Sequence, residues 1–231
     1  MNRATRPVNR LTDSDRARVS AAVHAAEQAT SGEIVTIIAE RSGGYWDVAL
    51  VWAALAAFAA LCVLALYPDF YLGKLDWLSG AWAREWDARS LFALAAFTAM
   101  AKFAAMLALQ LWPPLRFALV PGPVRSARVA GSALTCFKVA AERRTHGRTG
   151  VLIYLSMREH RAEIIADETI ASRVPPEVWG DAMAMLIASL RQGALGDGLV
   201  AAVELVGEVL AEHFPRAEND VNELPDRLIE V

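Results

Sequence analysis

The chain has 231 residues, of which 55% are hydrophobic and 21% charged, and its mean hydropathy is positive. This composition indicates a protein that is partly membrane-embedded and partly soluble. The formal net charge of -3 argues against nucleic acid as a partner, because no strong positive field surrounds the chain. The two cysteines form no CxxC pair and have no Cys/His ligand spacing, so neither a zinc site nor a disulfide framework is predicted.

The N-terminal region starts like a soluble α/β domain. Its first 15 residues are polar and basic and contain no apolar core of a secretory signal. Residues 11–30 have the pattern of an amphipathic helix, and Thr12 and Asp15 are spaced as in a capping box. Polar residues, among them Glu27, are spaced to occupy its solvent face. The β-branched run at 34–38 then predicts a buried strand.

Two apolar runs follow, at residues 48–67 and 91–112. Each has about 20 residues, which at 1.5 Å per residue matches the ~30 Å hydrocarbon core of a bilayer. The alternative is a pair of buried helices in a soluble core, but run length and aromatic flanks together favour a transmembrane hairpin. The flanking aromatic residues are Trp46, Tyr67, Phe70, Tyr71, Trp77, Trp82, Trp86 and Trp112.

Two features of the runs concern contacts inside the bilayer. Alanines four residues apart, such as Ala53 and Ala57, would let two helix backbones approach closely. Lys102 falls near the centre of the second run, where an ammonium group costs on the order of 3 kcal/mol. Two interpretations of Lys102 stay open: it contacts a partner or polar pathway, or its long stem extends toward an interface.

The region after the second run is basic at first and then returns to mixed α/β patterning. The expected elements are a helix over 123–145, strands over 151–156 and 161–166 joined as a hairpin by the turn MREH, a helix over 177–192 and a last helix over 197–213. A polar, acidic tail follows from Pro215, and we expect it to be loosely ordered.

The hairpin sets the topology of the whole chain. Two crossings return the chain to its starting side, and the excess of basic residues on the flanks places that side in the cytoplasm. We therefore expect a multi-pass inner-membrane protein whose termini and soluble domain are both cytoplasmic. The expected segments are a first part of the soluble domain (1–46), the transmembrane hairpin (47–113), a second part of the domain (114–214) and the acidic tail (215–231).

Three stretches carry a resemblance to a known family. They are SGEIV from Ser31, TGVLIYLSMREHRAEIIAD from Thr149, and GALGDGLVAAVELVGEVL from Gly193. They resemble the TPM domain family, which includes a thylakoid protein of photosystem II repair and many bacterial membrane-associated proteins. The resemblance covers roughly residues 11–41 and 123–214, and the hairpin lies outside it. It implies a TPM-like α/β sandwich, here with a two-helix transmembrane hairpin inserted after the first strand.

The family also carries expectations about location and chemistry. Its members are often extracytoplasmic or luminal behind a signal peptide, and this chain departs from that pattern. Some members are linked to acid phosphatase activity or to divalent cations such as calcium, and others have no established activity. By resemblance, Asp167 and Asp197 match positions where the family often has acids.

Four acidic residues are candidates for a site that binds Ca2+ or Mg2+: Glu33 at the start of the first strand, Asp167 and Glu168 after the third, and Asp197 before the last helix. Acids at strand ends could converge to hold a hard cation through oxygen or to position water. Asp167 and Asp197 also stand where helix N-termini favour acids for backbone reasons alone. Arg158, His160 and Arg161 in the predicted turn could face an anion, although an exposed turn favours polar residues anyway.

The sequence therefore leaves the reaction open. No GxSxG, P-loop or dinucleotide-binding motif is present, so enzymatic activity is uncertain. The preferred interpretation is a membrane-anchored TPM-like domain that acts in protein interaction or membrane-protein maintenance, with the lipid bilayer, a membrane protein or a second copy of the chain as partner. The alternative is a divalent-cation-dependent phosphatase.

Overall fold

The computed structural model describes residues 11–79, 86–140, 149–217 and 226–231. It divides the chain into two compact units, the first formed by Met1–Gly43 and Gly122–Val231 and the second by Gly44–Pro121. Some expectations lie outside the described residues: the N-terminal basic segment, the end of the helix predicted over 123–145, and the aromatic flank at Trp82.

The elements follow the predicted order. They are α1 (Asp13–Glu27), β1 (Glu33–Ala39), α2 (Trp46–Leu66), α3 (Pro68–Ser79), α4 (Ala88–Leu109), α5 (Pro113–Ala118), α6 (Gly122–Ala140), β2 (Gly150–Ser156), β3 (Arg161–Ala166), α7 (Glu168–Ala171), α8 (Gly180–Gln192), α9 (Leu195–His213) and β4 (Ile229–Glu230). The predicted helix start at Glu177 is instead a 3-10 turn, Pro176–Trp179, which leads into α8.

The first unit contains a four-stranded sheet with the order β3-β2-β1-β4. β1 pairs with β2 in parallel, from Glu33 opposite Gly150 to Ala39 opposite Ser156. β2 and β3 form the predicted antiparallel hairpin. The strand that precedes the apolar helices therefore shares one sheet with the strands that follow them, which confirms the expected α/β fold class.

Helices cover both faces of this sheet. Because side chains alternate along a strand, Ile34 and Ile153 face one layer while Val35 and Leu152 face the other. The first layer contains α1, α8 and α9, and the second contains α6. The core residues expected on α9 are buried: Leu199, Val203, Val206 and Leu210. The α/β sandwich is thus built around two apolar layers.

Two features of the first unit differ from the sequence expectations, the burial of Glu27 and the structure of the acidic tail. Thr12 and Asp15 form the expected capping box, but Glu27 at the end of α1 is buried rather than on the solvent face. Its carboxylate accepts a hydrogen bond of 2.8 Å from the Ile34 amide, so it connects α1 to β1. The acidic tail also contributes structure, because β4 pairs in parallel with β1 at Ile37 and Ile38.

The second unit contains the two long apolar helices. α2 and α4 have 21 and 22 residues and are long and apolar enough to cross a membrane, judged by length and composition. They pack along each other, with Ala49 and Ala53 of α2 fully buried. Gln110, at the end of α4, donates to the Ala49 carbonyl at 3.1 Å. The segment expected to be a connecting loop contains a further helix, α3.

Candidate functional site

Two of the predicted acidic residues lie in one row at the amino ends of β1 and β2. Glu33 is paired in register with Gly150 of β2. On the other side of Gly150, the Asp167 amide donates a hydrogen bond to the Gly150 carbonyl. Both carboxyl groups are buried. The structure therefore brings Glu33 and Asp167 to the same edge of the sheet, with Glu168 next to them at the start of α7.

The Asp167 carboxylate has a structural role in this row. It accepts a hydrogen bond of 3.1 Å from the Gly150 amide, while the Asp167 amide donates to the Gly150 carbonyl at 2.9 Å. Asp167 occupies the N-cap position of α7, as predicted, but its side chain makes no capping hydrogen bond there. Its carboxylate thus fastens the end of β3 to the start of β2.

Asp197 lies elsewhere, in the first turn of α9, where its exposed carboxylate pairs with the Arg18 guanidinium of α1. Within residues 11–79, 86–140, 149–217 and 226–231, no three His, Cys, Asp or Glu side chains are grouped so that they could hold a metal ion. The cation site, and the phosphatase chemistry that would depend on it, stay predictions.

A cavity of about 580 Å³ opens at the opposite edge of the sheet. It lies where the three parallel strands end. Ala39 is the last residue of β1, Val231 follows β4, and Tyr154 lies near the end of β2. Helix α6 forms the facing wall. The residues that line the cavity are Ala39, Arg41, Ser42, Ala127, Arg128, Gly131, Ser132, Thr135, Cys136, Tyr154 and Val231.

A hydroxyl network, formed by Tyr154, Ser42, Ser156 and Glu159, connects this cavity to a buried carboxylate. Both Glu159 oxygens accept hydrogen bonds, one from the Ser156 hydroxyl and one from the Ser42 amide at 3.2 Å. The Ser42 hydroxyl donates to Ser156 at 2.9 Å and lies 3.0 Å from the Tyr154 hydroxyl. Burial raises the pKa of the Tyr154 hydroxyl, which keeps this end of the network protonated.

The β2–β3 turn delivers Glu159 to the network. His160 has a φ of 50°, in the left-handed region, and the chain reverses there. As a result, Glu159 is buried while its neighbour His160 is exposed. The turn thus supplies a carboxylate to the inside of the molecule, a role that the sequence analysis did not assign to Glu159.

Sequence reasoning missed this cavity because its residues come from four separate segments. Two weak signals were present in the sequence. Tyr154 interrupts an otherwise aliphatic strand, and buried tyrosine hydroxyls usually have a hydrogen-bond partner. Ser42 follows the predicted β1 strand, at the edge where α/β sheets bind ligands. Neither signal identifies Glu159 or Ser132, whose positions depend on the tertiary fold.

The fold is an α/β sandwich in which helices cover both faces of one four-stranded sheet. Residues 133–209 match the model of the TPM domain family, a match that runs from the middle of α6 through most of α9. This match confirms, over residues 133–209, the resemblance to the TPM domain family seen in the sequence motifs.

The other two comparisons concern curated proteins and solved structures. No curated protein matches the chain. Among solved structures it is similar to the NMR structure of BA42 protein from the psychrophilic bacteria Bizionia argentinensis sp. nov., with a TM-score of 0.54 and 18% identity over 100% of both chains. At this level of identity the likeness concerns the fold alone.

Proposed function

We propose that this protein is a membrane-anchored TPM domain that acts in protein interaction or membrane-protein maintenance at the inner surface of the cell membrane. In this proposal α2 and α4 cross the bilayer as a hairpin and hold the first unit in the cytoplasm. The function is binding at a membrane surface rather than turnover of a substrate.

The surface of the two apolar helices carries this proposal. Only 11% of the apolar window of α2 is buried, and 0% of that of α4. Large side chains such as Phe58 and Phe92 are more than half exposed, at 66% and 76%. Exposed apolar patches of this extent mark contact with a membrane or another protein. Helices of about 20 residues with such surfaces fit the thickness of a bilayer.

Basic residues support the cytoplasmic orientation. Arg116 lies in α5, the short helix after α4, and Arg125 and Arg128 lie in the first half of α6. Arg116 stacks on the Trp46 ring at 4.2 Å, a pairing suited to the lipid headgroup layer. Positive charge next to the ends of a hairpin favours the cytoplasmic side.

Lys102 supports a contact with another membrane component. It lies near the middle of α4, and its side chain is exposed on the helix surface. A lysine exposed at this depth is costly in lipid, and a neighbouring polar group of a partner protein or of a second copy would reduce that cost.

Alkaline carbonate extraction of membranes that contain the full-length protein tests the anchor. We expect the protein to remain in the membrane pellet, because two spanning helices resist extraction that releases peripheral proteins. A control variant, Phe58→Asp together with Phe97→Asp, places charges on the apolar surfaces of both helices and should increase the extracted fraction. Complete release of the unmodified protein would overturn the proposed anchoring.

A further inference from the structure

The cavity between β1, β2, β4 and α6 has the position and chemistry of a ligand site. We propose that it binds a small hydroxylated anion, a carboxylate or a phosphate that also carries hydroxyl groups. This inference goes beyond the proposed membrane anchoring and does not depend on it, because every lining residue belongs to the first unit.

The strand order places the cavity where α/β sheets bind their ligands. β1 has β2 on one side and β4 on the other, and all three strands are parallel. After β1 the chain forms β2 and β3 on one side of β1, and it later forms β4 on the other side of β1. The direction in which strands are added therefore reverses at β1. The crevice outside the carboxyl ends of strands at such a reversal is the general ligand position in open α/β sheets.

The hydrogen bonds inside the protein determine whether the hydroxyl groups of the cavity wall act as donors or acceptors toward a ligand. Because Glu159 accepts from Ser156 and Ser42 donates to Ser156, the Tyr154 proton is directed to Ser42. Ser132 donates its hydroxyl proton to the Ser42 carbonyl at 3.1 Å. Thr135, one helical turn further, likewise donates to the Gly131 carbonyl at 2.9 Å. The oxygens of these hydroxyls therefore present lone pairs, which accept hydrogen bonds from a ligand's hydroxyl groups.

The charged side chains that line the cavity have the opposite sign to an anion. Arg41 and Arg128 contribute guanidinium groups at its exposed side, and the described lining residues include no Asp or Glu. Guanidinium groups bind carboxylates and phosphates through paired N–H donors. A ligand with an anionic group at one end and hydroxyl groups at the other matches both parts of the wall.

The size of the cavity suits a small molecule. Its volume of about 580 Å³ lies within the range of about 300–1,000 Å³ that is usual for small-ligand pockets. Gly131 leaves space at the α6 wall, since a Cβ atom placed on it would meet no atom within 4 Å. A larger side chain at this position would occupy the cavity without a clash with the protein.

A melting experiment on the full-length protein in detergent tests this proposal with four probes. Gluconate and glycerol 3-phosphate carry both an anionic group and hydroxyls, whereas acetate and glycerol each carry only one of these. We expect the melting temperature to rise with gluconate, glycerol 3-phosphate or both, because a ligand that binds only the folded state stabilises it. The response to each of the two probes shows whether the anionic group is a carboxylate or a phosphate.

Three variants make the result specific to the cavity. Gly131→Leu should abolish the ligand-induced rise while leaving the melting temperature without ligand unchanged or higher. Gly180→Leu is the matched control, because a Cβ atom at this helical glycine also meets nothing within 4 Å but lies outside the cavity. Arg41→Gln should weaken binding by about tenfold, the loss expected for one charge-assisted hydrogen bond.

Two outcomes would overturn the proposal. One is the absence of any rise with both hydroxylated anions. The other is an equal rise in the Gly131→Leu variant, which would place binding outside the cavity. Failure of the membrane anchor would instead appear in the carbonate extraction, so the two proposals fail in different measurements.

Discussion

Ile37 of β1 lies directly opposite Tyr154 of β2 in a parallel pair, although α2 and α4 separate the two residues in the sequence. This pairing joins the two segments of the first unit, which lie on either side of the second unit in the sequence. Tyr154 also lines the cavity, so the cavity depends on this strand pairing. β1 alone could not form a stable sheet, because an isolated strand has no partner for its backbone groups.

The buried Glu27 predicts a pH dependence of stability. Burial raises the pKa of its carboxyl to about 8 from 4.5, against the hydrogen bond from Ile34, and the carboxyls of Glu33 and Asp226 add to the rise. The folded state therefore holds this proton more tightly than the unfolded state. Its stabilising contribution is complete below about pH 4.5 and is lost as pH rises through about 8, with a slope of up to about 1.4 kcal/mol per pH unit.

The measurement is the melting temperature of the full-length protein in detergent between pH 5 and 9. The Glu27→Gln variant keeps an oxygen acceptor for Ile34 but cannot ionise, so its melting temperature should fall less over this range. Glu212→Gln, on the exposed side of α9, is the control and should behave like the unmodified protein. Equal pH profiles for Glu27→Gln and the unmodified protein would contradict the assignment.

Asp167 and Asp197 should differ in their effect on stability. Asp167→Ala leaves the buried Gly150 amide without its carboxylate acceptor, and we expect a loss of about 1–3 kcal/mol in the free energy of unfolding. Asp197→Ala removes an exposed ion pair with Arg18, which water and salt screen, so we expect a much smaller loss than for Asp167→Ala. Chemical denaturation of the two variants side by side measures the difference.

Asparagine variants of the same two residues test the cation-site hypothesis. A melting temperature that rises with Ca2+ or Mg2+ in the unmodified protein, and no longer does so in Asp167→Asn and Asp197→Asn, would contradict the structural roles described for these acids. Phosphate release from a generic ester that disappears in both variants, without loss of stability, would favour the phosphatase interpretation instead.

Much of the fold was predictable from local patterns. β3 begins and ends where the sequence predicted, because a run of alternating and β-branched residues is bounded by a polar turn and by Asp167. The buried face of α9 follows from the helical spacing of its apolar residues. These elements are determined by periodicity and by turn chemistry, both of which a single sequence shows.

Other features depended on contacts between distant segments. Glu27 has the spacing of a solvent-facing residue on α1, but β1 and the tail approach its side chain and remove it from water. β4 is only two residues long and follows a polar tail, so no local pattern identifies it as a strand. The cavity was not predictable for the same reason, since Ser42, Ser132 and Glu159 meet only in the folded sheet.

Ala53 determines how closely the two apolar helices pack. It is fully buried in α2, whereas Ala59 on the same helix is exposed. Ala53→Leu should force α2 and α4 apart and destabilise the hairpin by about 1–3 kcal/mol, as expected for overpacking. Ala59→Leu, which adds the same atoms to the outer surface, should have little effect. The loss of monodisperse protein on heating in detergent compares the two variants.

Lys102 should lie at a contact with another membrane component. In a Cys62→Ser, Cys136→Ser background, Lys102→Cys should form a cross-linked product in membranes treated with a short bifunctional thiol reagent or an oxidant. Met100→Cys is the control, since Met100 is also exposed on α4 but lies on a different side of the helix. The absence of a product from Lys102→Cys would favour a side chain that extends toward the interface.

The topology of the inserted hairpin can be measured directly by labelling single cysteines in sealed vesicles. In the cysteine-free background, Glu40→Cys precedes the hairpin, Glu177→Cys follows it, and Asp69→Cys lies between its two helices; all three positions are exposed. We predict that a membrane-impermeant maleimide labels Glu40→Cys and Glu177→Cys only in inside-out vesicles and Asp69→Cys only in right-side-out vesicles. Labelling of Glu40→Cys and Glu177→Cys from opposite sides would contradict a single sheet built across the membrane hairpin.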